Sequence, residues 1–239
     1  MKEMALILLL ATQAMALQAQ GTTMSTTMGG GLETNGLELA VCAYSAGWRE
    51  LSVRRDWGES KQEPRSFQLM SDGKACFEGT CRYDQCGDSV RGEIKLTCTR
   101  DITMQSLSLA MNVPLGKNRG RQWRTDGLPH EIPTGRSESG NLQKCQVPML
   151  DGEMLTIDFA TPIHYLEQDL SRWSGTWSVR LGDDQAPRTF TRGEQVTYGF
   201  VLSAHGGVKV ENVYKEIHLR PGAQWVRLGN DKDIVPGSA

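Results

Sequence analysis

The chain has 239 residues, with 26 lysines and arginines against 28 aspartates and glutamates, so its formal net charge is only -2. Because the basic residues are scattered along the sequence, the composition lacks the electrostatic signature of a nucleic-acid-binding protein and gives no sign of attraction to a membrane surface. The length suits one large β domain or two small ones.

The N-terminus has the pattern of a secretory signal peptide. A single lysine precedes the apolar run 4–11, and small residues follow it. The run is too short to span about 30 Å of hydrocarbon, so residues 1–19 are predicted to be cleaved after Ala16 or Ala19. Residues 20–34 are then expected to be a flexible lead. The mature protein is predicted to be secreted or periplasmic in a bacterium, without a membrane span.

The chain contains an even number of cysteines, which in an exported protein favours disulfides. The six residues are Cys42, Cys76, Cys81, Cys86, Cys98 and Cys145. Unpaired thiols and a soft-metal site at the Cys76-Cys81-Cys86 cluster are the alternatives. Zinc sites usually show closer cysteine pairs or histidines at matching spacing, which this sequence does not have, so no metal site is predicted.

Alternation of apolar and polar residues with a period of two dominates the rest of the chain and predicts half-buried antiparallel strands. The clearest segments are 94–99, 107–113, 155–159, 177–181 and 196–202. Turn residues separate them, and Asp151-Gly152 indicates a hairpin. The predicted fold is therefore an all-β, antiparallel β-sandwich over residues 35–229.

Two stretches lack this alternation. Residues 116–144 are rich in Arg, Gly, Ser and Pro, which predicts a long excursion loop. Residues 230–239 have the polar, Pro- and Gly-containing composition of a linker, which predicts that the protein continues into a downstream domain.

Tryptophan is the most informative residue type for binding. Two pairs bracket short polar segments, namely Trp48 with Trp57 and Trp173 with Trp177. An exposed indole beside an arginine or a carboxylate suits the apolar C–H face and hydroxyl rim of a sugar ring. Trp177 shares a strand face with Val179 and Leu181, so it is predicted to be core. The candidate ligand-binding residues are Trp48, Arg49, Trp57, Arg172 and Trp173.

The sequence contains no complete catalytic signature. Serine-hydrolase, nucleotide-binding and zinc-protease motifs are absent, and no cofactor is predicted. One alternative is a general acid and base formed by His164 with Glu167 or Asp169, as sugar epimerisation requires. A strand histidine is more often structural.

From Leu155 onward, three segments together resemble a known family. They are 155–159, 167–181, with Trp173-Ser-Gly-Thr-Trp177, and 192–202. The order resembles the β-sandwich, likened to the galactose mutarotase supersandwich, that precedes a cellulase-like (β/α)8 barrel in secreted bacterial glycoside hydrolases. The tail 233–239 is similar to the junction before such a barrel. The resemblance implies a polysaccharide or oligosaccharide partner, and a catalytic barrel that lies outside this chain.

Three functional hypotheses remain open. The leading one is a non-catalytic, carbohydrate-facing or scaffold domain of a secreted glycoside hydrolase-like protein. The second is a stand-alone mutarotase-like or lyase-like enzyme that uses His164 and nearby carboxylates. The third is a structural or adhesion module of the cell envelope.

Overall fold

The fold is built almost entirely of β-strands. A computed structural model describes residues 21–27, 29–34, 36–54, 65–133, 137–182, 187–211, 224–227 and 234–237. The strands are β1 Thr22–Thr26, β2 Leu32–Thr34, β3 Leu37–Ser45, β4 Arg49–Glu50, β5 Ser52–Arg54, β6 Arg65–Ser71, β7 Lys74–Cys86, β8 Ser89–Cys98, β9 Ile102–Pro114, β10 Gln122–Thr125, β11 Leu128–Glu131, β12 Glu138–Pro148, β13 Met154–Leu170, β14 Thr176–Leu181, β15 Arg188–Phe190, β16 Gln195–Ser203, β17 Val208–Glu211, β18 Gln224–Arg227 and β19 Ile234–Gly237. A short helix, α1, spans Leu115–Asn118.

Within the described residues, β1 to β17 form one continuous sheet that curls into two arms. The first arm runs from β5 through β6, β7, β8 and β16 to the N-terminal half of β13. The second arm runs from the C-terminal half of β13 through β14, β9 and β3 to β2 and β1. These ladders are antiparallel, and β1 also pairs with β17 in parallel. The long strand β13 therefore belongs to both arms.

The hydrophobic core lies between the two arms. Phe77 on β7 meets Phe190 on β15 edge to face, with ring centroids 5.5 Å apart. The hydroxyl of Tyr198 on β16 donates to the carbonyl of Leu107 on β9 at 3.2 Å. These contacts join strands that are not hydrogen-bonded neighbours, so the all-β, sandwich-like prediction is confirmed.

The alternation in the sequence produces the strands as predicted. Along β8 the core-facing residues, among them Ile94 and Leu96, are fully buried, while Arg91 and Glu93 are exposed. The five predicted segments lie in strands β8, β9, β13, β14 and β16, except that Thr99 follows the end of β8. Pro148 pairs with Met154 across the Asp151-Gly152 turn, which confirms the hairpin.

The described residues within 20–34, namely 21–27 and 29–34, are not the flexible lead that was expected. Thr22–Thr26 form β1 and Leu32–Thr34 form β2, both within the sheet. Met24 and Leu32 are completely buried. The polar threonines concealed this strand, because only Met24 marks its buried face.

The predicted excursion loop 116–144 is also structured. It contains most of α1, both strands of the β10–β11 hairpin and the first half of β12. Its buried side chains are Asn118, Trp123, Thr125, Ile132 and Leu142. In the tail, Ile234–Gly237 pairs with Gln224–Arg227, although a linker was expected over 230–239. The predicted signal peptide and Trp57 lie outside the described residues. Among the residues that the structure describes, no helix is long and apolar enough to span a membrane.

The cysteines form no disulfide, so this prediction is not borne out. Cys76, Cys81 and Cys86 all lie on the single extended strand β7. Each interval of five residues separates the Cα atoms by about 16 Å, whereas a disulfide requires less than about 7 Å. The spacing that resembled a cluster in the sequence therefore keeps these thiols apart.

Candidate carbohydrate-binding site

Trp48 lies in the tight turn that joins β3 to β4. Its backbone N–H donates to the carbonyl of Ser45 at 3.1 Å. Its φ is +58°, in the left-handed region that bulky side chains rarely occupy. Despite this cost, 55% of the residue surface is exposed to solvent. An exposed aromatic held in a strained backbone is a typical feature of a functional position.

The indole is held in place by two neighbours, Tyr44 on β3 and Arg180 on β14. The rings of Tyr44 and Trp48 are tilted, with centroids 5.7 Å apart. The guanidinium carbon of Arg180 lies 5.1 Å from the Tyr44 centroid and 5.4 Å from the Trp48 centroid. Both distances are within the range of cation–π attraction. We call these three residues the Trp48 platform.

Polar side chains lie on the strands and the turn that carry the platform. The guanidinium of Arg180 donates to the hydroxyl of Ser106 at 3.4 Å, and the residue is almost fully buried. Ser108, two residues further along β9, is completely buried, and its hydroxyl has no hydrogen-bond partner in the described structure. Beside the indole, exposed Arg49 forms an ion pair with Asp72 at 3.6 Å. The exposed indole is therefore followed in the chain by a charged, accessible side chain, Arg49, while the hydroxyls of Ser106 and Ser108 are buried with Arg180.

The Tyr44 hydroxyl remains protonated at neutral pH. Burial, and next the neighbouring thiol of Cys42, raise the pKa of Tyr44 to about 12. A neutral phenol at this position can donate a hydrogen bond and carries no charge that would offset Arg180.

A second exposed indole, Trp173, lies in the turn between β13 and β14. It is 79% exposed. The carbonyl of Leu170 accepts hydrogen bonds from the backbone N–H groups of Trp173 and Ser174, both at 3.0 Å. The carboxylate of Asp169 accepts from the backbone N–H of Ser171 at 2.8 Å. This rigid turn holds Trp173 and exposed Arg172 away from the sheet.

The Asp169 carboxylate should make this turn sensitive to acid. The Ser171 N–H bond, aided by nearby Arg119 and Arg172, lowers the pKa of Asp169. Its stabilising effect is therefore present above the unfolded-state pKa of about 3.9 and is lost as the pH falls through the lower folded-state value. Asp169→Asn should melt at a lower temperature than the wild type at pH 7, and the difference should shrink as the pH falls below the folded-state pKa. A constant difference across this range would contradict the assignment.

The two indoles do not form one site. Tyr44 lies opposite Ser106 on β9, whereas Thr176, at the end of the Trp173 turn, lies opposite Pro114. These two points on β9 are separated by about 26 Å of extended chain, at about 3.3 Å per residue. The sequence predicted both exposed tryptophans, and the fold places them at opposite ends of one arm.

His164 does not converge with the acidic residues proposed as its partners. Tyr165 and Glu167 face the core, where Tyr165 packs against Trp123 and the Glu167 carboxylate accepts a 2.7 Å hydrogen bond from the Trp177 indole N–H. Successive residues of a strand point to opposite faces, so His164 lies on the other face of β13. Asp169 is engaged in the turn. The geometry therefore gives no support to the general acid and base hypothesis.

The sequence interpretation missed Tyr44 and Arg180. Arg180 sits on a strand between buried Val179 and Leu181, and an arginine on the polar face of a strand is normally solvated. Only the pairing of β14 with β9, and of β9 with β3, brings it beneath Trp48. No signal within one segment could have revealed this contact.

Other chemistries find little support among the described residues. No group of three or more histidines, cysteines and acidic residues is arranged to hold a metal ion in these ranges. Complete burial raises the pKa of the Cys145 thiol to about 12, so that thiol is not a nucleophile at neutral pH.

No protein-family model and no curated protein sequence matches this chain. The galactosidase domain of the alpha-galactosidase–sucrose kinase AgaSK aligns with a TM-score of 0.42 and 11% identity, over 71% of this chain and 30% of that one. A galactose mutarotase related enzyme from Lactobacillus acidophilus aligns with a TM-score of 0.38 and 10% identity, over 77% of this chain and 94% of that one. A putative aldose 1-epimerase from Escherichia coli K12 aligns with a TM-score of 0.37 and 10% identity, over 77% of this chain and 98% of that one.

These neighbours include the mutarotase type of domain that the sequence resembles. The chain spans about 30% of the length of the AgaSK structure. At such low scores and identities the likeness says nothing about the ligand or catalytic residues of this chain.

Proposed function

We propose that this chain is a non-catalytic carbohydrate-binding domain and that the Trp48 platform is its principal contact with sugar. One observation carries the proposal. Trp48 is more than half exposed although it occupies a left-handed backbone conformation and is braced from below by Tyr44 and Arg180. A tryptophan that served only packing would be buried and unstrained.

The chemistry of the platform matches that of a sugar ring. The open face of the indole offers an apolar surface for ring C–H groups. Arg49 and Asp72, both largely exposed, can exchange their mutual ion pair for hydrogen bonds to hydroxyl groups at little cost, since a surface ion pair contributes little stability. The platform is preformed, so binding requires little ordering of side chains.

Trp173 and Arg172 are proposed as a second sugar contact at the opposite end of the same arm. An extended polysaccharide could engage both indoles, and its affinity would then exceed that of either contact alone. The proposed setting is that of an exported protein, secreted or periplasmic, in which this domain accompanies a glycoside hydrolase barrel. N-terminal sequencing of the mature protein and the reading frame beyond Ala239 test this setting.

Replacing Trp48 with glycine should weaken sugar binding without harming the fold. Glycine accepts φ of +58° without strain, so the relief offsets the lost ring contacts and the free energy of unfolding should stay within about 1 kcal/mol of the wild type. Affinity for a responsive sugar should fall about tenfold or more, because a stacked aromatic contributes at least about 1.4 kcal/mol. Isothermal titration calorimetry with neutral glucose, galactose and mannose oligosaccharides measures this change.

Leu128→Ala is the matched control, because Leu128 is an exposed apolar side chain in a different hairpin. It should leave both affinity and stability unchanged. Unaltered affinity in the Trp48→Gly variant, with a folded protein, would refute the role of the platform.

A further inference from the structure

A groove separate from both tryptophans lies where the β10–β11 hairpin meets the turn between β12 and β13. It has a volume of about 480 Å3, and its lining residues are Arg121, Gln122, Arg124, Gln146, Pro148 and Met154. Two of the six are arginines, two are carboxamides and none is acidic. The lining is therefore positively charged in a chain whose net charge is -2.

Arg121 is fixed in position by the fold. One of its terminal nitrogens, Nη1, donates to the side-chain oxygen of Asn118 at 2.9 Å and to the carbonyl of Met149 at 2.6 Å. Asn118 is completely buried and is itself anchored by a 2.9 Å hydrogen bond to the carbonyl of Pro114. The guanidinium of Arg121 is thus oriented before any ligand arrives, which reduces the entropic cost of binding.

Arg124 supplies a second guanidinium. It occupies a solvent-facing position of β10, and no hydrogen bond or ion pair engages its side chain within the described ranges. Its backbone neighbour across the ladder is Gln146, whose amide N–H donates to the hydroxyl of Thr156 at 3.3 Å. The amide oxygen of Gln146 remains as an acceptor for a ligand hydroxyl.

The remaining lining residues, Pro148 and Met154, are apolar. A guanidinium pair binds a carboxylate or a sulfate through charge-assisted hydrogen bonds, and an apolar surface beside an amide suits a sugar ring. No lining residue is aromatic, so the groove lacks the stacking surfaces with which proteins hold single-stranded nucleic acids.

We infer that this groove binds the acidic group, a carboxylate or a sulfate, of an acidic saccharide. The saccharide part of this inference rests on the proposed function, while the anion site depends on its own residues. The domain would then bind the acidic groups of a polysaccharide in the groove and its sugar rings on the two exposed indoles.

Calorimetry in about 20 mM salt tests the inference with an oligo-uronate, a sulfated neutral oligosaccharide and its unsulfated parent. An acidic ligand should bind at least about tenfold more tightly than the unsulfated parent, and its affinity should fall as salt is raised, because the contacts are ionic. The two acidic ligands distinguish carboxylate from sulfate recognition. Equal affinity for all three, or no binding of either acidic ligand, would overturn the inference.

Arg124→Gln should weaken the acidic ligand about tenfold without affecting the fold, since one charge-assisted contact is lost. Arg192→Gln, which removes an exposed arginine from a different turn, is the matched control and should change nothing. Trp48→Gly should retain the preference for acidic ligands. If Trp48→Gly alone lowers the affinity for the acidic ligand, the groove is refuted and the proposed function stands. If a single-stranded DNA binds as tightly as the acidic saccharide, saccharide recognition by the groove is refuted.

Discussion

Replacing Trp177 with alanine should lower the free energy of unfolding by about 4 kcal/mol, whereas the same change at Trp173 should alter it by less than about 0.5 kcal/mol. The two residues are of the same type and lie four positions apart, Trp173 in the turn that precedes β14 and Trp177 at the start of β14. Trp177 is completely buried and Trp173 is 79% exposed. The comparison therefore isolates burial from residue type.

The large effect at Trp177 has two physical sources. Its ring packs edge to face against Trp123, with centroids 5.1 Å apart, so alanine leaves a large cavity between the arms. Its indole N–H donates to the carboxylate of Glu167, which is almost fully buried. Removing that donor leaves a buried carboxylate with one hydrogen bond fewer, which adds to the cost.

Urea denaturation followed by far-ultraviolet circular dichroism measures both variants. The denaturation midpoint of Trp177→Ala should fall sharply, and that of Trp173→Ala should stay close to the wild type. Trp177→Phe should lie in between, because the smaller ring keeps part of the packing but loses the indole donor and some buried volume. Equal losses at Trp173 and Trp177 would contradict the assignment of core and surface.

Replacing Gly31 with alanine should cost about 2 to 3 kcal/mol. A Cβ atom there would lie 2.3 Å from the carbonyl oxygen of Leu39 and 2.9 Å from the Cα of Ala40. Both are backbone atoms of β3 that cannot rotate away, so β2 and β3 would have to separate. The effect exists only if residues 22–34 are part of the sheet.

Gly116→Ala is the matched control, because no atom lies within 4 Å of a Cβ at that position. It should be neutral or slightly stabilising, since alanine is the better helix former in α1. Thermal melting distinguishes the two variants. If Gly31→Ala melts with the wild type, the N-terminal strands are not packed on the sheet and the flexible lead predicted from sequence is correct.

The strands with strict alternation could be predicted because period two is a property of the backbone. Segments 94–99 and 196–202 have one apolar face each, and both became strands in adjacent positions of the first arm. Residues 116–144 were misread because glycines, arginines and two prolines mask short strands, in which Trp123 and Leu142 are the apolar residues of the buried face.

Candidate binding residues were predictable only in part. Trp48, Arg49, Arg172 and Trp173 are exposed, as a sugar contact requires. Tyr44 and Arg180, which orient Trp48, come from strands far apart in sequence. The Arg121 groove likewise joins a helix, a hairpin and a distant turn. Contacts of this kind depend on sheet register, which no local pattern encodes.

The order of apolar and polar residues was sufficient to specify an all-β chain whose apolar strand faces pack in a common core. This is so because side chains alternate between the two faces of any strand, whichever strands it pairs with. The identity of the partners across each ladder required the folded molecule. Register and the bending of β13 between the arms are set by long-range packing. That packing brings Arg180 under Trp48, whereas the separation of His164 from Glu167 follows from the alternation of side chains along β13.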